Sequence, residues 1–301
     1  MSFPLVDAAL NWQSPAPAQP ARGLSSPFSS RGHEPDASAN KRKAAGGSSE
    51  RTVVVVTDQV GAEGGFVLNH FIHRHLRLEE QGWIVVLVGL AQTWEHYLAV
   101  GKKLGLNIAL SQQKGRLVFL DALTHLATGT GPFAVNEGAT GAPKAASPLQ
   151  GLLASITTAY QACPSSSAAK KLCLVLDDIS ALQSCGLPTK DVLAFAAGCR
   201  ELVHEENGCL VLLAHGDSVA AGVDDDDGSG VICRSLIHSA THVLHVAALE
   251  SGLTQGVDGQ VTFARGPLLK DAEGFNPEVL HYQITDAQIN FFKKGFSKGL
   301  L

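Results

Sequence analysis

Residues 53–71 have the layout of a phosphate-binding loop without the residues that grip the phosphate. A run of four valines leads into a polar, glycine-bearing turn, and a helix with an apolar face is predicted to start near Gly65. In a working loop, G-x-x-x-x-G-K-[ST], backbone amides and the lysine hold the phosphates and the hydroxyl holds Mg²⁺. With Gly65 as the second glycine, Val60 stands at the first glycine position. Phe66 then takes the position of the lysine and Val67 that of the hydroxyl.

An alternative alignment on Gly64 does not restore the motif, because it puts Gly65 and Phe66 at the lysine and hydroxyl positions. Neither alignment supplies a cation or a magnesium ligand. The sequence therefore predicts the architecture of a nucleotide-hydrolysing domain with a degenerate nucleotide site. We expect no catalytic, cofactor-binding or metal-binding residues, and no cofactor.

Acidic residues and a histidine also stand at predicted strand ends. Asp177 and Asp178 close the apolar run LCLVL, where phosphate-binding-loop proteins carry an acidic residue that orients magnesium. Because the first motif is emptied, we interpret this pair as a relic or a structural feature rather than a metal site. His215, Gly216 and Asp217 close a later strand at an edge where functional loops gather. Without a G-x-S-x-G turn, a hydrolase triad is not supported there.

Other residues of metal-binding type lack the spacing that a metal needs. His70, His73 and His75 lie on the first predicted helix without an HExxH motif or a partnering carboxylate at ligand spacing in the sequence. The run Asp224–Asp227 precedes Gly228, but an EF-hand loop built on that glycine would end at an arginine where a glutamate is required. The six cysteines never form a CxxC pair, which indicates buried reduced thiols and a cytosolic or nuclear protein.

The composition fits one globular domain with a flexible extension. The chain has 301 residues, of which 45% are hydrophobic and only 17% are charged, against an average of about 25%. A surface poor in charge is typical of a subunit that neighbours cover, although many monomers share it. The net charge of −5 argues against binding of nucleic acid by this chain alone. No apolar run approaches the ~20 residues of a membrane span, and the N-terminus MSFPLVDAAL does not resemble a secretion signal.

Apolar runs alternate with helical patterns through most of the chain. The runs are continuously apolar, as in strands covered on both faces of a parallel sheet: Val53–Val56, Ile84–Val88, Leu117–Leu120, Leu172–Leu176, Cys209–Ala214 and His242–Ala247. Helices are predicted at 94–104 and 191–206, and two alternating segments, 260–264 and 280–285, predict an antiparallel edge hairpin. This order predicts a doubly wound, mostly parallel α/β domain over residues 51–301.

Residues 1–50 are predicted to be a disordered N-terminal extension that folding does not require. From position 13 the segment is rich in Pro, Ser, Ala and Gly, so burial would not offset its ordering entropy. Its triplet Lys41-Arg42-Lys43 is too short for a basic patch. A Gly- and Ala-rich loop is predicted at 128–147.

Several segments together resemble one known family. The resemblance is carried by GFVLNHF at the emptied loop, LVGLAQTWEHYLAVGKKLG and KGRLVFLDAL further on, LCLVLDDISALQSCG, and the C-terminal INFFKKGFSKGLL. These segments are similar to the family of sixth subunits of the Elongator complex. The resemblance covers most of residues 52–301 and departs in the N-terminal extension, the Gly-rich insertion and the Asp-rich loop.

That resemblance implies a RecA-like fold, related to P-loop NTPases but without nucleotide-binding motifs. It implies a non-catalytic structural subunit that joins the fourth and fifth Elongator subunits in a hetero-hexameric ring, two copies of each. The ring docks on the catalytic Elongator subcomplex and contacts tRNA. There it assists the carboxymethyl-type modification of wobble uridines at the 5-position, while another subunit performs the chemistry.

Two rival interpretations stay open. A RecA-like recombination or repair ATPase would carry an intact G-K-[ST] sequence, which is absent here. A degenerate P-loop scaffold of an unrelated assembly is distinguished only by the proteins that co-purify with the chain. The C-terminal tail favours a subunit that a neighbour covers, because Phe291, Phe292 and Phe296 place much apolar surface near a terminus.

Overall fold

A nine-stranded sheet organises the described part of the chain. A computed structural model describes residues 6–7, 10, 52–78, 81–128, 147–164, 170–217, 229–252, 254–269, 277–286 and 288–294. The strands are β1 (Thr52–Asp58), β2 (Trp83–Gly89), β3 (Leu117–Asp121), β4 (Lys171–Leu176), β5 (Cys209–His215), β6 (His242–Ala247), β7 (Gly259–Arg265), β8 (Glu278–Ile284) and β9 (Ile289–Lys293). They lie in the order β3-β2-β4-β5-β1-β6-β7-β8-β9.

The sheet is parallel from β3 to β6 and antiparallel beyond it. The predicted hairpin is present as β7 and β8, but β9 pairs outside it, so residues 289–293 form the edge of the sheet. The sequence INFFK does not alternate between apolar and polar residues, and this strand was therefore not predicted as one.

Helices cover both faces of the parallel strands. They are α1 (Gly65–Arg77), α2 (Trp94–Lys103), α3 (Ile108–Gln113), α4 (Ala122–Thr128), α5 (Pro148–Ala162), α6 (Ser180–Ser184), α7 (Thr189–Glu205) and α8 (Ser229–His238). Val53 and Val55 face a core layer with α5, α7 and α8. Val54 and Val56 face the opposite layer with α1, α2 and α3. Since successive side chains of a strand point to opposite faces, this valine run is buried throughout, and the doubly wound prediction is confirmed.

Three residues of the predicted disordered extension lie in the core, which corrects that expectation in part. Val6 and Leu10 are 1% and 2% exposed, and Asp7 is buried beside them. The Leu10 amide donates to the Val6 carbonyl over 3.0 Å, which makes one helical turn. Two apolar residues four positions apart are too short a pattern to identify such a turn. The predictions for 11–51, for most of the 128–147 loop and for Asp224–Asp227 fall outside the described residues.

Candidate functional site

The emptied phosphate-binding loop lies at the carboxyl edge of the sheet, between β1 and α1. Strands β4, β5 and β1 are neighbours, so the residues that end them meet at this edge. Ligands of doubly wound folds bind outside this edge of the sheet. Asp58 ends β1, Asp178 follows β4 and His215 ends β5.

His215 bridges the two carboxylates. Its Nδ1 lies 2.7 Å from Oδ1 of Asp58, and its Nε2 lies 3.1 Å from Oδ2 of Asp178. The hydrogen bond to Asp178 and then that to Asp58 outweigh partial burial and raise the pKa of His215 to about 10. The ring is therefore an imidazolium near neutral pH that donates a hydrogen bond on each side. This cluster joins the ends of three adjacent strands.

The backbone amides of the loop bind the protein's own carboxylates. The Gly64 amide donates to Oδ2 of Asp58 over 2.8 Å, and the Val60 amide donates to Oδ1 of Asp217 over 2.8 Å. The turn between them is closed by a 2.9 Å bond from the Ala62 amide to the carbonyl of Gln59. A phosphate at this loop would have to displace these carboxylates and would meet their negative charge.

The side chains at the lysine and hydroxyl positions belong to the core. Phe66 is half-buried, and its ring packs at 4.6 Å from that of Tyr282 and at 6.3 Å from that of Phe291. Val67 is buried in the layer that α1 forms on the sheet. The two positions that handle the nucleotide in a working loop thus connect α1 to the sheet and to the C-terminal strands.

Asp177 is turned away from the loop and holds the turn after β2. Its Oδ1 accepts hydrogen bonds from the amides of Leu90 (2.6 Å) and Ala91 (3.0 Å). Its Oδ2 accepts from the amide of Gln92 (3.0 Å) and the hydroxyl of Tyr97 (3.1 Å). Burial raises the pKa of Asp177, and the amide hydrogen bonds offset part of that shift. Both oxygens are occupied by the protein, which fits the structural interpretation of this residue.

The histidines and carboxylates do not converge on one point. The two carboxylates at His215 lie on opposite ring nitrogens, so no single ion would contact all three groups. On α1, His70 pairs with Asp7, whereas Nδ1 of His75 donates to the carbonyl of Phe71 over 2.8 Å. Across the described ranges, no group of three or more His, Cys, Asp or Glu side chains has the arrangement of a metal site.

Asp58 is the residue of this edge that sequence reasoning missed. It is the last residue of a strand whose preceding residues are apolar or Thr, and it is 3% exposed. The same signal that marked Asp177 and Asp178, an acidic residue closing an apolar run, was therefore present in β1. Asp178, His215 and Asp217 were recognised, and the structure brings all three to the loop.

Comparison with known families decides the membership of the chain. The sequence model of the family described as Elongation complex protein 6 matches residues 39–286. The chain belongs to that family. It is 33% identical over 246 residues to Elongator complex protein 6 of Xenopus tropicalis, spanning 79% of this chain and 89% of the relative. It is 28% identical over 253 residues to the human protein of that name, again spanning 79% and 89%.

The fold has a relative among solved structures. A KaiC-like protein from the hyperthermophilic archaeon Pyrococcus horikoshii aligns with a TM-score of 0.52 at 13% sequence identity, covering 80% of this chain and 89% of that protein. At that identity the likeness concerns the fold alone, which is RecA-like as the resemblance implied. Among the described residues of this chain, no helix is both long and apolar enough to cross a membrane.

Proposed function

We propose that this chain is a non-catalytic structural subunit of the Elongator complex. In this proposal it forms a hetero-hexameric ring with the fourth and fifth subunits, two copies of each. The ring docks on the catalytic subcomplex and contacts tRNA, and so assists the 5-position modification of wobble uridines in the cytoplasm. Membership of the Elongation complex protein 6 family and the names of the relatives support the complex.

The closed loop supports the non-catalytic role. Its Val60 and Gly64 amides are bound by Asp217 and Asp58, and an aromatic ring stands where the lysine would be. With these two amides occupied, and with neither a cation at position 66 nor a hydroxyl at position 67, the loop lacks the groups by which a working loop holds Mg-ATP. A RecA-like domain without nucleotide chemistry is suited to assembly contacts.

Co-expression tests the assembly. We expect the chain alone to be poorly soluble or to self-associate, and to elute with the fourth and fifth subunits as one complex with the mass of two copies of each. A well-behaved monomer that ignores both subunits would contradict the proposal. It would favour a scaffold in another assembly, or a recombination ATPase if the monomer also hydrolysed ATP.

A complementation assay tests the role in tRNA modification. In cells that lack the native subunit, the wild-type chain should restore the modified wobble uridine, measured by mass spectrometry of tRNA nucleosides. The variant His215→Gln should restore it equally, provided that it enters the complex at the wild-type level, because the cluster performs no chemistry. Loss of the modification by a variant that assembles normally would contradict a non-catalytic role.

A further inference from the structure

A cavity of about 150 Å³ lies between α7, α8 and the sheet. Val53 of β1 and Leu210 and Leu212 of β5 form its floor, and all three are buried in the core layer that these helices cover. Val53 and Leu210 are register partners near the starts of their strands. The cavity therefore lies toward the amino ends of the strands, whereas the emptied loop lies at the carboxyl edge.

Small side chains on the two helices leave this space unfilled. Four of the helix residues that line the cavity are small: Ala196 and Ala197 of α7, and Ser235 and Ser239 of α8. On α7 the two alanines lie between Leu193 and Arg200 at the spacing i, i+3, i+4, i+7, so all four share one face of the helix. Ala197 is exposed and both serines are half-buried. The cavity thus opens to the surface between the helices, where a small ligand can enter.

A guanidinium without a partner stands at this opening. Among the described residues that line the cavity, only Arg200 is charged. It is half-buried, and no hydrogen bond or ion pair of the described chain occupies its guanidinium. Arginine stays charged at neutral pH and presents a planar fork of donors that matches a carboxylate. The Ser235 hydroxyl, on the facing helix, can donate a further hydrogen bond.

We propose that this cavity binds a small monocarboxylate with an apolar body, of the size of benzoate. The apolar body lies against Val53, Leu210 and Leu212, and the carboxylate pairs with Arg200 at the opening. An apolar cavity of about 150 Å³ is large enough to bind benzene, so the volume admits one six-membered ring.

The charge of the lining selects among acids of that size. One guanidinium balances one negative charge, so a dicarboxylate or a phosphate monoester would bring a charge to the opening that has no partner. A neutral molecule of the same shape would leave the guanidinium unmatched. This inference does not depend on the proposed place of the chain in Elongator.

A titration with para-fluorobenzoate, followed by fluorine NMR, tests the proposal. It uses the purified full-length chain, alone or within the complex with which it co-purifies. The signal should broaden in a saturable way, and unlabelled benzoate should reverse the broadening. The neutral isostere para-fluorobenzamide should bind at least about 10-fold more weakly, because a hydrogen bond to a charged group is lost.

Two variants of the lining and one control separate this site from general stickiness. Arg200→Gln should lower the affinity for the acid to that for the amide, whereas Lys190→Gln, which removes an exposed charge from the same helix, should not. Ala196→Leu should abolish the binding of both compounds, because Ala196 is buried and the larger side chain enters the cavity. A melting temperature no lower than that of the wild type would show that this variant is folded. Arg200→Gln, at the half-buried opening, does not rely on that core substitution.

Equal affinity of the wild type for the acid and the amide would overturn the proposal. So would an affinity for the acid that Arg200→Gln leaves unchanged, or that a folded Ala196→Leu variant leaves unchanged. The absence of saturable binding at millimolar acid would overturn it as well.

Discussion

Asp177 and Asp178 are adjacent in the sequence but serve different parts of the molecule. Asp177 accepts hydrogen bonds from three amides in the turn after β2 and from Tyr97. Asp178 faces the other way along the edge and pairs with His215. A run of apolar residues closed by two acids therefore marks the end of a strand. It does not tell which carboxylate faces the loop.

Replacing Asp177 should cost more stability than replacing its side-chain partner Tyr97. Asp177→Asn places an amide group against backbone amides that need acceptors, so we expect a loss of about 2–4 kcal/mol in the free energy of unfolding. Tyr97→Phe removes one of the four hydrogen bonds and should cost about 1 kcal/mol. Urea denaturation followed by circular dichroism measures both. If Asp177→Asn were as stable as wild type, the turn after β2 would not depend on this carboxylate.

The unit β1–loop–α1 keeps its shape because its side chains pack on the domain. Phe66 and Val67 hold the start of α1 through Tyr282, Phe291 and the second core layer. Two amides between β1 and α1, those of Val60 and Gly64, donate to carboxylates of the protein itself. The loop is thus stabilised without a ligand.

Restoring the two missing residues should therefore not restore nucleotide binding. In the double variant Phe66→Lys with Val67→Ser, the new lysine would still meet a loop whose Val60 and Gly64 amides are bound by Asp217 and Asp58. We expect no saturable heat with Mg-ATP in calorimetry below about 1 mM. We also expect a loss of about 2 kcal/mol or more of stability from aromatic and core packing. Phe66→Leu with Val67→Ala, which stays apolar, is the control for packing. Micromolar affinity in the lysine variant would show that the carboxylates do not close the site.

The sequence identified the elements that carry strong local signals. The buried runs and the predicted helices at 94–104 and 191–206 correspond to β1–β6, α2 and α7. The emptied loop was recognised from the valine run, the glycine-bearing turn and the side chains of Phe66 and Val67. What the sequence did not reveal depends on tertiary contacts. Examples are β9, which pairs through its backbone, and the buried residues Asp7 and Leu10, whose partners lie in α1 and in β6, more than sixty and more than two hundred positions away.

At the scale of the whole molecule, the histidines with lowered pKa values and the one with a raised pKa make stability depend on pH in opposite directions. His73, His75 and His242 lie in the interior, and burial lowers the pKa of each to about 4. His215 is held charged between two carboxylates, with its pKa raised to about 10. In the unfolded chain all four groups titrate near 6.5. Stability should therefore fall on both sides of that value.

The slope of stability against pH has opposite signs on the two sides of this maximum. Between pH 6.5 and about 4, histidines of the unfolded chain bind protons that the buried rings of the folded chain do not bind. Each buried histidine should therefore lower the free energy of unfolding by about 1.4 kcal/mol per pH unit as the pH falls. Between pH 6.5 and 10 the folded state keeps the His215 proton that the unfolded chain releases. Stability then falls as the pH rises. The fall is smaller than that caused by a buried histidine, because the His215 side chain is 54% exposed and solvent screens its charge.

Denaturant midpoints at pH 5, 7 and 9.5 should show this maximum. In His215→Gln only the fall on the alkaline side should become less steep. The variant should be less stable than wild type at pH 7, because Asp58 and Asp178 lose the cation between them. The difference should shrink by pH 9.5, as the wild type loses the advantage of its bound proton. His96→Gln, on the exposed surface of α2, is the control for loss of an imidazole. A difference between His215→Gln and wild type that stays constant from pH 7 to 9.5 would mean that His215 joins the strands by packing and not by charge.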